Sequence, residues 1–331
     1  MKEAKIVITQ TPLRLSFFGG SSDIESFYLK NNGCVISSTI DKYIYVTLKS
    51  HGNLFDEKYR LNYQQAENLD NVKDIKNNII RECLNFFKIE DPLYISTVAD
   101  IPSQSGLGSS SSFTVGLLNA LYSYTGKKVS AGKLAEEACH IEIEVIKSPI
   151  GKQDQYAAAF GGLNKFDFSS SGVQSQSLDM MINPIDVFKN FQLFWTGVKR
   201  SADDILNSIS FTNPNNVENI KSIVKDCENV FEKIKQKEIN NFENLGKIFD
   251  KSWQSKKMLS TKISNKSIDD AYTLAKNRGS LGGKIAGAGG GGFLLLITPI
   301  NKQKQVMDSL VNFTEVPIKY EPHGSRVIIS S

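Results

Sequence analysis

Pro102-Ser-Gln-Ser-Gly-Leu-Gly-Ser-Ser-Ser-Ser112 decides the fold. It follows a strand-like run at 93–98 and opens a helix-like run at 113–124 that ends before Gly126. A glycine-serine loop between a strand and a helix start suits an anion. Glycine lets backbone N–H groups approach phosphate oxygens, and the helix N-terminus adds roughly half a positive charge. Hydroxyls in the first turn can cap the helix, bind phosphate or hold a cation. The loop has no lysine at the Walker A position and does not match the Gly-x-Gly-x-x-Gly dinucleotide fingerprint. On local grounds it is either a phosphate cradle of another kind or a flexible connector.

The rest of the chain bounds the choice. Its 331 residues predict about two domains with a substantial core. Hydrophobic content of 40% and charged content of 22% are those of an ordinary globular protein. A net charge of +4, dispersed along the chain, suits anionic metabolites and excludes a nucleic-acid face. Cys34, Cys83, Cys139 and Cys227 form no Cys-x-x-Cys pair, so reduced core thiols are expected. No apolar run approaches a membrane span, and the N-terminus lacks an apolar leader. A cytoplasmic protein is the expectation.

Strands are predicted at 5–9, 13–18, 35–39 and 43–48 from β-branched and aromatic content. A helix is predicted over 72–87, where Val72, Ile75, Ile79, Ile80, Cys83 and Phe87 recur at helical spacing. Another spans 130–147, with Leu134, Ala138, Ile141 and Val145 inward and Glu142 and Glu144 on opposite flanks. A helix at 153–160 stops at Gly161-Gly162, and 163–168 with 173–178 reads as a hairpin. After a boundary near 180–186, strands are expected at 192–197, 293–298, 316–320 and 326–329. Helices are expected at 217–239, 242–259, 268–278 and 303–312. The Lys/Glu-rich stretch 225–243 reads as solvated helix surface. Helices mixed with a small antiparallel sheet make this half α+β.

Three further constellations carry chemistry. Arg14 lies in an apolar strand and needs a partner, since a lone buried charge is costly. Gly19-Gly20 then turns the chain to present Ser21, Ser22 and Asp23, a cluster suited to sugar hydroxyls. Asp23 could equally cap a helix at 24–29. Glu142 and Asp154 form the second group. Asp154 follows Gly151 at a helix start, where a carboxylate is stabilised and could accept a proton. Each could also be a plain surface acid. The third is Gly282-Gly-Lys-Ile-Ala-Gly-Ala-Gly-Gly-Gly-Gly292. So many glycines cost entropy on folding, which points to close approach of backbone to a ligand or to another loop.

Together these residues resemble the GHMP superfamily of small-molecule kinases. Three motifs occur there in this order. A basic residue in an N-terminal strand before glycine is matched by Arg14. Pro-x-x-x-Gly-Leu-Gly-Ser-Ser is matched by Pro102, Gly106, Leu107, Gly108, Ser109 and Ser110. A C-terminal glycine run is matched at 284–292. The resemblance implies an α+β, two-domain GHMP kinase fold: a βαβ-containing nucleotide domain over 1–182 and a ferredoxin-like domain over 183–331. It implies ATP as co-substrate, with Ser105, Gly106, Leu107, Gly108, Ser109 and Ser110 at its phosphates, and Mg2+ on Ser110 and Glu142. Asp154 would be the catalytic carboxylate with Arg14 beside it. The acceptor would meet Arg14, Gly20, Ser21, Asp23, Lys152, Asp154, Arg200 and Gly289. Galactokinases carry Gly-Glu-His-Thr-Asp where this chain has Gly-Gly-Ser-Ser-Asp, which argues against galactose. The whole pattern most resembles the branch that phosphorylates the anomeric oxygen of D-glycero-D-manno-heptose 7-phosphate on the route to GDP-heptose. There Lys152, Lys199 and Arg200 are the candidate cations for the sugar phosphate. A fucokinase-like 1-kinase, a non-catalytic sugar sensor and a decarboxylase of the same fold are the rivals. The expected partners are small molecules, ATP and a sugar phosphate, with no nucleic acid and no membrane; a homodimer is compatible with the sequence.

Overall fold

Residues flanking Pro12 form one strand, β1 (Ile6–Phe18), where two were expected. Proline has no N–H to give a ladder, so the register with the next strand shifts between Pro12 and Leu13 without ending there. After the short helix α1 (Glu25–Asn31), the expected runs 35–39 and 43–48 likewise merge into β2 (Gly33–Ser50). This computed structural model describes residues 5–52, 55–238 and 242–331.

β3 (Tyr59–Asn62) and β4 (Ala66–Leu69) form a hairpin. Helix α2 (Asn78–Phe87) then returns the chain to β5 (Leu93–Ala99), parallel to β3, which is the expected βαβ element. The predicted helix 72–87 starts late because the Asn77 side chain accepts from the Ile80 N–H and caps α2, leaving only a 3-10 turn at Val72–Asp74. α3 (Ser109–Tyr124), α4 (Ala131–Cys139) and α5 (Gln153–Phe160) follow, then the hairpin of β6 (Leu163–Ser169) and β7 (Gly172–Ser177). β2 pairs with β6 along its first part and with β5 along its last. α3 lies on β1: the Thr9 hydroxyl donates to the Gly116 carbonyl at 2.9 Å. A Cβ at Gly116 would sit 2.7 Å from Thr11 Oγ1, so glycine is what lets this helix press onto the sheet.

The helix expected at 130–147 changes type. α4 ends at Cys139, and His140–Val145 form a π-helical turn in which Ile146 N–H reaches back to Ile141 O at 2.9 Å. The extra residue per turn rotates the chain beyond it, so Val145 faces solvent, not the core, while Glu142, four residues after the buried Ala138, stays buried.

The second half runs α6 (Pro184–Phe188), β8 (Phe191–Trp195), α7 (Ala202–Leu206), α8 (Pro214–Lys235), α9 (Phe242–Lys257), α10 (Lys266–Asn277), β9 (Gly282–Ile285), β10 (Phe293–Ile297), α11 (Ile300–Ser309) and β11 (Thr314–Glu315). Its antiparallel sheet has the order β11-β8-β10-β9, the split β-α-β-β-α-β pattern of a ferredoxin-like unit. The helix expected over 217–239 ends at Lys235, and position 239 lies outside the described residues.

Residues 316–320, expected as a strand, are not one. They carry the chain from one sheet to the other: Val316 N–H still bonds Leu193 O, while Tyr320 already bridges Ile40. The last strand, β12 (Arg326–Ser330), therefore lies across the expected division at 182/183. It adds to the free edge of β1, in the N-terminal sheet. One large apolar cluster fills the N-terminal layer, and a second, around Phe194, Leu294, Leu296 and Trp253, fills the C-terminal one. Helix α8 contributes to both: Cys227, Val230 and Ile234 to the first, Ile220 and Ile223 to the second. All four cysteines are buried and free, as expected of core thiols.

Candidate active site

A cavity of about 310 Å³ opens where the two halves meet. Its floor is the glycine-serine loop. Gly106 and Gly108 have φ of +85° and +76°, conformations that cost other residues about 1–2 kcal/mol. Gly108 occupies the N-cap position of α3 and leaves the helix start without a side-chain cap. Ser109, Ser110 and Ser111 line the cavity there, so the helix start is turned to an anion. A Cβ on Gly106 would lie 2.5 Å from Ala286 O, and one on Gly287 would lie 2.6 Å from Gly106 O. The C-terminal glycine run thus lets two loops touch backbone to backbone.

Arg14 finds its partner in Asp154. Nε and Nη2 donate to the two carboxylate oxygens at 2.7 Å each, and Nη1 donates to Gly106 O at 2.7 Å. The bidentate pair fixes the plane of the carboxylate, and the third bond ties it to the phosphate loop. A Cβ on Gly108 would stand 3.2 Å from Asp154 Oδ2, so the loop glycine also clears space for this group. The segments that meet here are β1, the loop before α3 and the first turn of α5.

Asp23 sits beside them. It is buried and does not cap α1, whose N-cap is Ile24. Its oxygens accept from Gln153 N–H at 3.2 Å and Gln153 Nε2 at 3.1 Å. Burial, then the charge of Asp154, push its pKa up to about 6. Ser22, expected to be presented with Asp23, is instead structural: its hydroxyl donates to Gly19 O and Cys34 O and it is fully buried.

Glu142, buried in the first part of the π-helical turn, accepts from Ser110 Oγ at 2.9 Å and from Gln155 Nε2 at 2.7 Å. Burial raises its pKa to about 7, against hydrogen bonds from Ser111, Gln155 and Ser110. Among the described residues no cluster of three metal-ligating acids, histidines or cysteines occurs. Mg2+ does not need one: it binds through one or two carboxylates plus substrate phosphates and water. Two hard oxygens, Ser110 Oγ and Glu142 Oε1, facing one cavity beside the phosphate loop fit that ion.

Sequence reasoning missed two buried cations. Lys256 Nζ donates to Gly287 O, and Lys284 Nζ donates to Phe17 O at 2.7 Å. Both line the cavity. Burial, then the nearby Arg14, lower the Lys256 pKa to about 8; burial, then Lys256, hold Lys284 well below the usual lysine range. A signal existed for each. Lys256 follows Phe249 and Trp253 at i+7 and i+3, on the buried face of α9, and Lys284 interrupts an otherwise small and apolar strand.

Of the residues singled out from sequence, Arg14, Gly20, Ser21, Asp23, Gly106, Gly108, Ser109, Ser110, Glu142, Asp154, Arg200 and Gly289 line this one cavity. Ser105 and Leu107 do not. Both are fully buried, supporting the loop from beneath; Leu107 O accepts from Arg14 N–H. Lys152 is also outside the lining: its ammonium lies 5.3 Å from the Tyr28 ring centroid.

The sequence matches the GHMP kinases N terminal domain over residues 75–162 and the GHMP kinases C terminal domain over 230–313. It is 32% identical to D-glycero-alpha-D-manno-heptose 7-phosphate kinase of Campylobacter jejuni, over 92% of this chain and 93% of that protein. It is 26% identical to mevalonate kinase of Saccharolobus solfataricus, over 92% of each. A D-glycero-D-manno-heptose 1-phosphate kinase from Bacteroides thetaiotaomicron has the same fold, with a TM-score of 0.77 and 22% identity over 97% of this chain and 98% of that one. Among the described residues no helix is long and apolar enough to cross a membrane.

Proposed function

The chain belongs to the GHMP kinases, and from that premise we propose that it moves the γ-phosphoryl group of ATP to the anomeric hydroxyl of D-glycero-D-manno-heptose 7-phosphate. One observation carries this reading. Asp154, held by two 2.7 Å bonds from Arg14, shares a cavity with the phosphate loop on one side and Asp23 on the other.

Phosphoryl transfer is mostly positioning and charge neutralisation. The loop N–H groups of Gly106–Ser110 receive the β- and γ-phosphates at the start of α3. Ser110 and Glu142 would hold Mg2+, which neutralises charge on the phosphates when bound. Asp154 takes the proton of the anomeric hydroxyl as its oxygen bonds to the γ-phosphorus and the bond to the β-phosphate oxygen breaks. ADP leaves, and the proton stays on the carboxylate until solvent removes it. Arg14 keeps Asp154 aimed and lies beside the transferring group. An anomeric hydroxyl is more acidic than a plain alcohol, so a simple carboxylate suffices.

Asp23 favours a sugar over a mevalonate-like acceptor. A buried carboxylate with lone pairs beyond those used by Gln153 wants hydroxyl donors, and a polyol ring supplies several. The near full-length match to the heptose 7-phosphate kinase supports the choice of sugar. A coupled ADP assay on heptose 7-phosphate, mannose 6-phosphate, fucose and unphosphorylated heptose tests it. Heptose 7-phosphate should give the highest kcat/KM; fastest turnover of fucose would overturn the assignment.

A further inference from the structure

The mechanism leaves part of the cavity wall unused. Lys256 and Lys284 reach it from α9 and β9, both buried, and each donates to a backbone carbonyl. Among the described residues neither has a carboxylate at ion-pair distance, whereas Arg14, the other buried cation of this site, is paired with Asp154. The Ser16 hydroxyl, one residue before the Phe17 carbonyl that Lys284 contacts, is buried, lines the same cavity and has no hydrogen-bond partner among the described residues. Two buried lysines bonded only to carbonyls, without a carboxylate partner, and an unpartnered hydroxyl are expensive to hold.

The charges around the pair indicate which substrate would face them. Lys284 donates to Phe17 O, and the unpartnered Ser16 hydroxyl would lie 3.5 Å from a Cβ on Gly20, at the turn that carries Ser21 and Asp23; Asp23 is also the carboxylate whose charge acts on Lys256. The pair therefore belongs to the acceptor end, with Asp23.

We propose that Lys256, with Lys284 and Ser16 behind it, seats the acceptor's own phosphate ester and so sets the preference for a phosphorylated sugar. This rests on the sugar-phosphate kinase reading above. The seat is placed by the tertiary fold. Arg200, the cation suggested by sequence, reaches the cavity with its Nε directed at Gly290 O at 3.4 Å and its backbone N–H on Gln104 O in the phosphate loop. Neither contact reaches the segment that carries Ser16, Phe17 and Asp23, where Lys284 is bonded. Lysine also fits the depth of the site better, as a compact ammonium with protons to spare for an arriving dianion. Binding a dianion restores the charge that burial discourages on both lysines, so the acceptor completes the site on entry.

The test is Lys256→Gln, which keeps a donor for Gly287 O and removes the charge. Steady-state kinetics are measured on heptose 7-phosphate and on unphosphorylated heptose, with Arg200→Ala alongside. Losing a charge-assisted hydrogen bond is worth about a 10- to 100-fold change in binding. The kcat/KM ratio between the two sugars should fall by that factor in Lys256→Gln, with the KM for ATP little changed. An equal loss on both sugars, or a selective loss in Arg200→Ala with none in Lys256→Gln, overturns the proposal. A wild-type enzyme that does not turn over heptose 7-phosphate refutes the parent reading instead. If Lys256→Gln does not fold, the wild type decides. Inorganic phosphate should inhibit competitively against heptose 7-phosphate and not against ATP; competition with ATP alone assigns the lysines to the nucleotide and overturns the proposal.

Discussion

Replacing Asp23 by Asn should make the ligand-free protein more stable at neutral pH while removing its function. Burial raises the Asp23 pKa from 3.8 to about 6. The folded state thus holds the proton more tightly than the unfolded chain. The stabilisation from that proton is complete below the unfolded pKa and is lost as pH rises through 6. The shift is about two units, and at ~1.4 kcal/mol per unit the ionised side chain costs on the order of 3 kcal/mol at pH 8. Integrating between the same two values leaves about half of that at pH 5. Asn carries no such cost. It also fits: its oxygen can keep the Gln153 N–H bond, and once the Gln153 side-chain amide turns over, the Asn amide meets Gln153 Oε1, which has no partner among the described residues. Melting curves without nucleotide or Mg2+ should show Asp23→Asn several degrees above wild type at pH 8, and by about half as much at pH 5. Kinase assays should show kcat/KM for the sugar strongly reduced with the KM for ATP preserved, the usual opposition between stability and activity. No gain at pH 8, or a gain as large at pH 5 as at pH 8, would refute the reasoning.

Three other outcomes are expected. Asp154→Asn should lower kcat by about 10²–10⁴-fold with ATP binding little altered, since the carboxylate acts on the acceptor; retention of more than about half the activity excludes the base role. Ser110→Ala should raise the Mg2+ concentration needed for half-maximal activity, because one hard oxygen next to Glu142 is lost; an unchanged Mg2+ titration places the ion elsewhere. Gly106→Ala should lower both the melting temperature and ATP affinity measured by calorimetry, since its φ is +85° and the new methyl would meet Ala286 O at 2.5 Å; an unchanged melting temperature would mean the two loops can part without cost.

What the sequence determined by itself is local or ordered along the chain. The loop at 102–112 is legible because phosphate binding needs glycine, hydroxyl and helix start in consecutive positions. The order of Arg14, the loop and the glycine run named the family and its two-part architecture. Arg14 in an apolar strand announced that it needed a partner, and only the family resemblance pointed to Asp154, 140 residues away. The tertiary structure decided the rest, because spacing along the chain carries no record of which segments pack together. Val145, expected inward, faces solvent because α4 gives way to a π-helical turn, which a regular 3.6-residue pattern does not anticipate. Ser22 was lost to the backbone of Cys34, and Lys152 to the ring of Tyr28. Lys256 belongs to none of the sequence motifs and enters the site because α9 is laid against β9, where the side chain is walled in beside Lys284 and Arg14. A charge on an exposed helix face and a charge in a closed cleft are spelled the same way, and only the neighbours brought in by folding separate them.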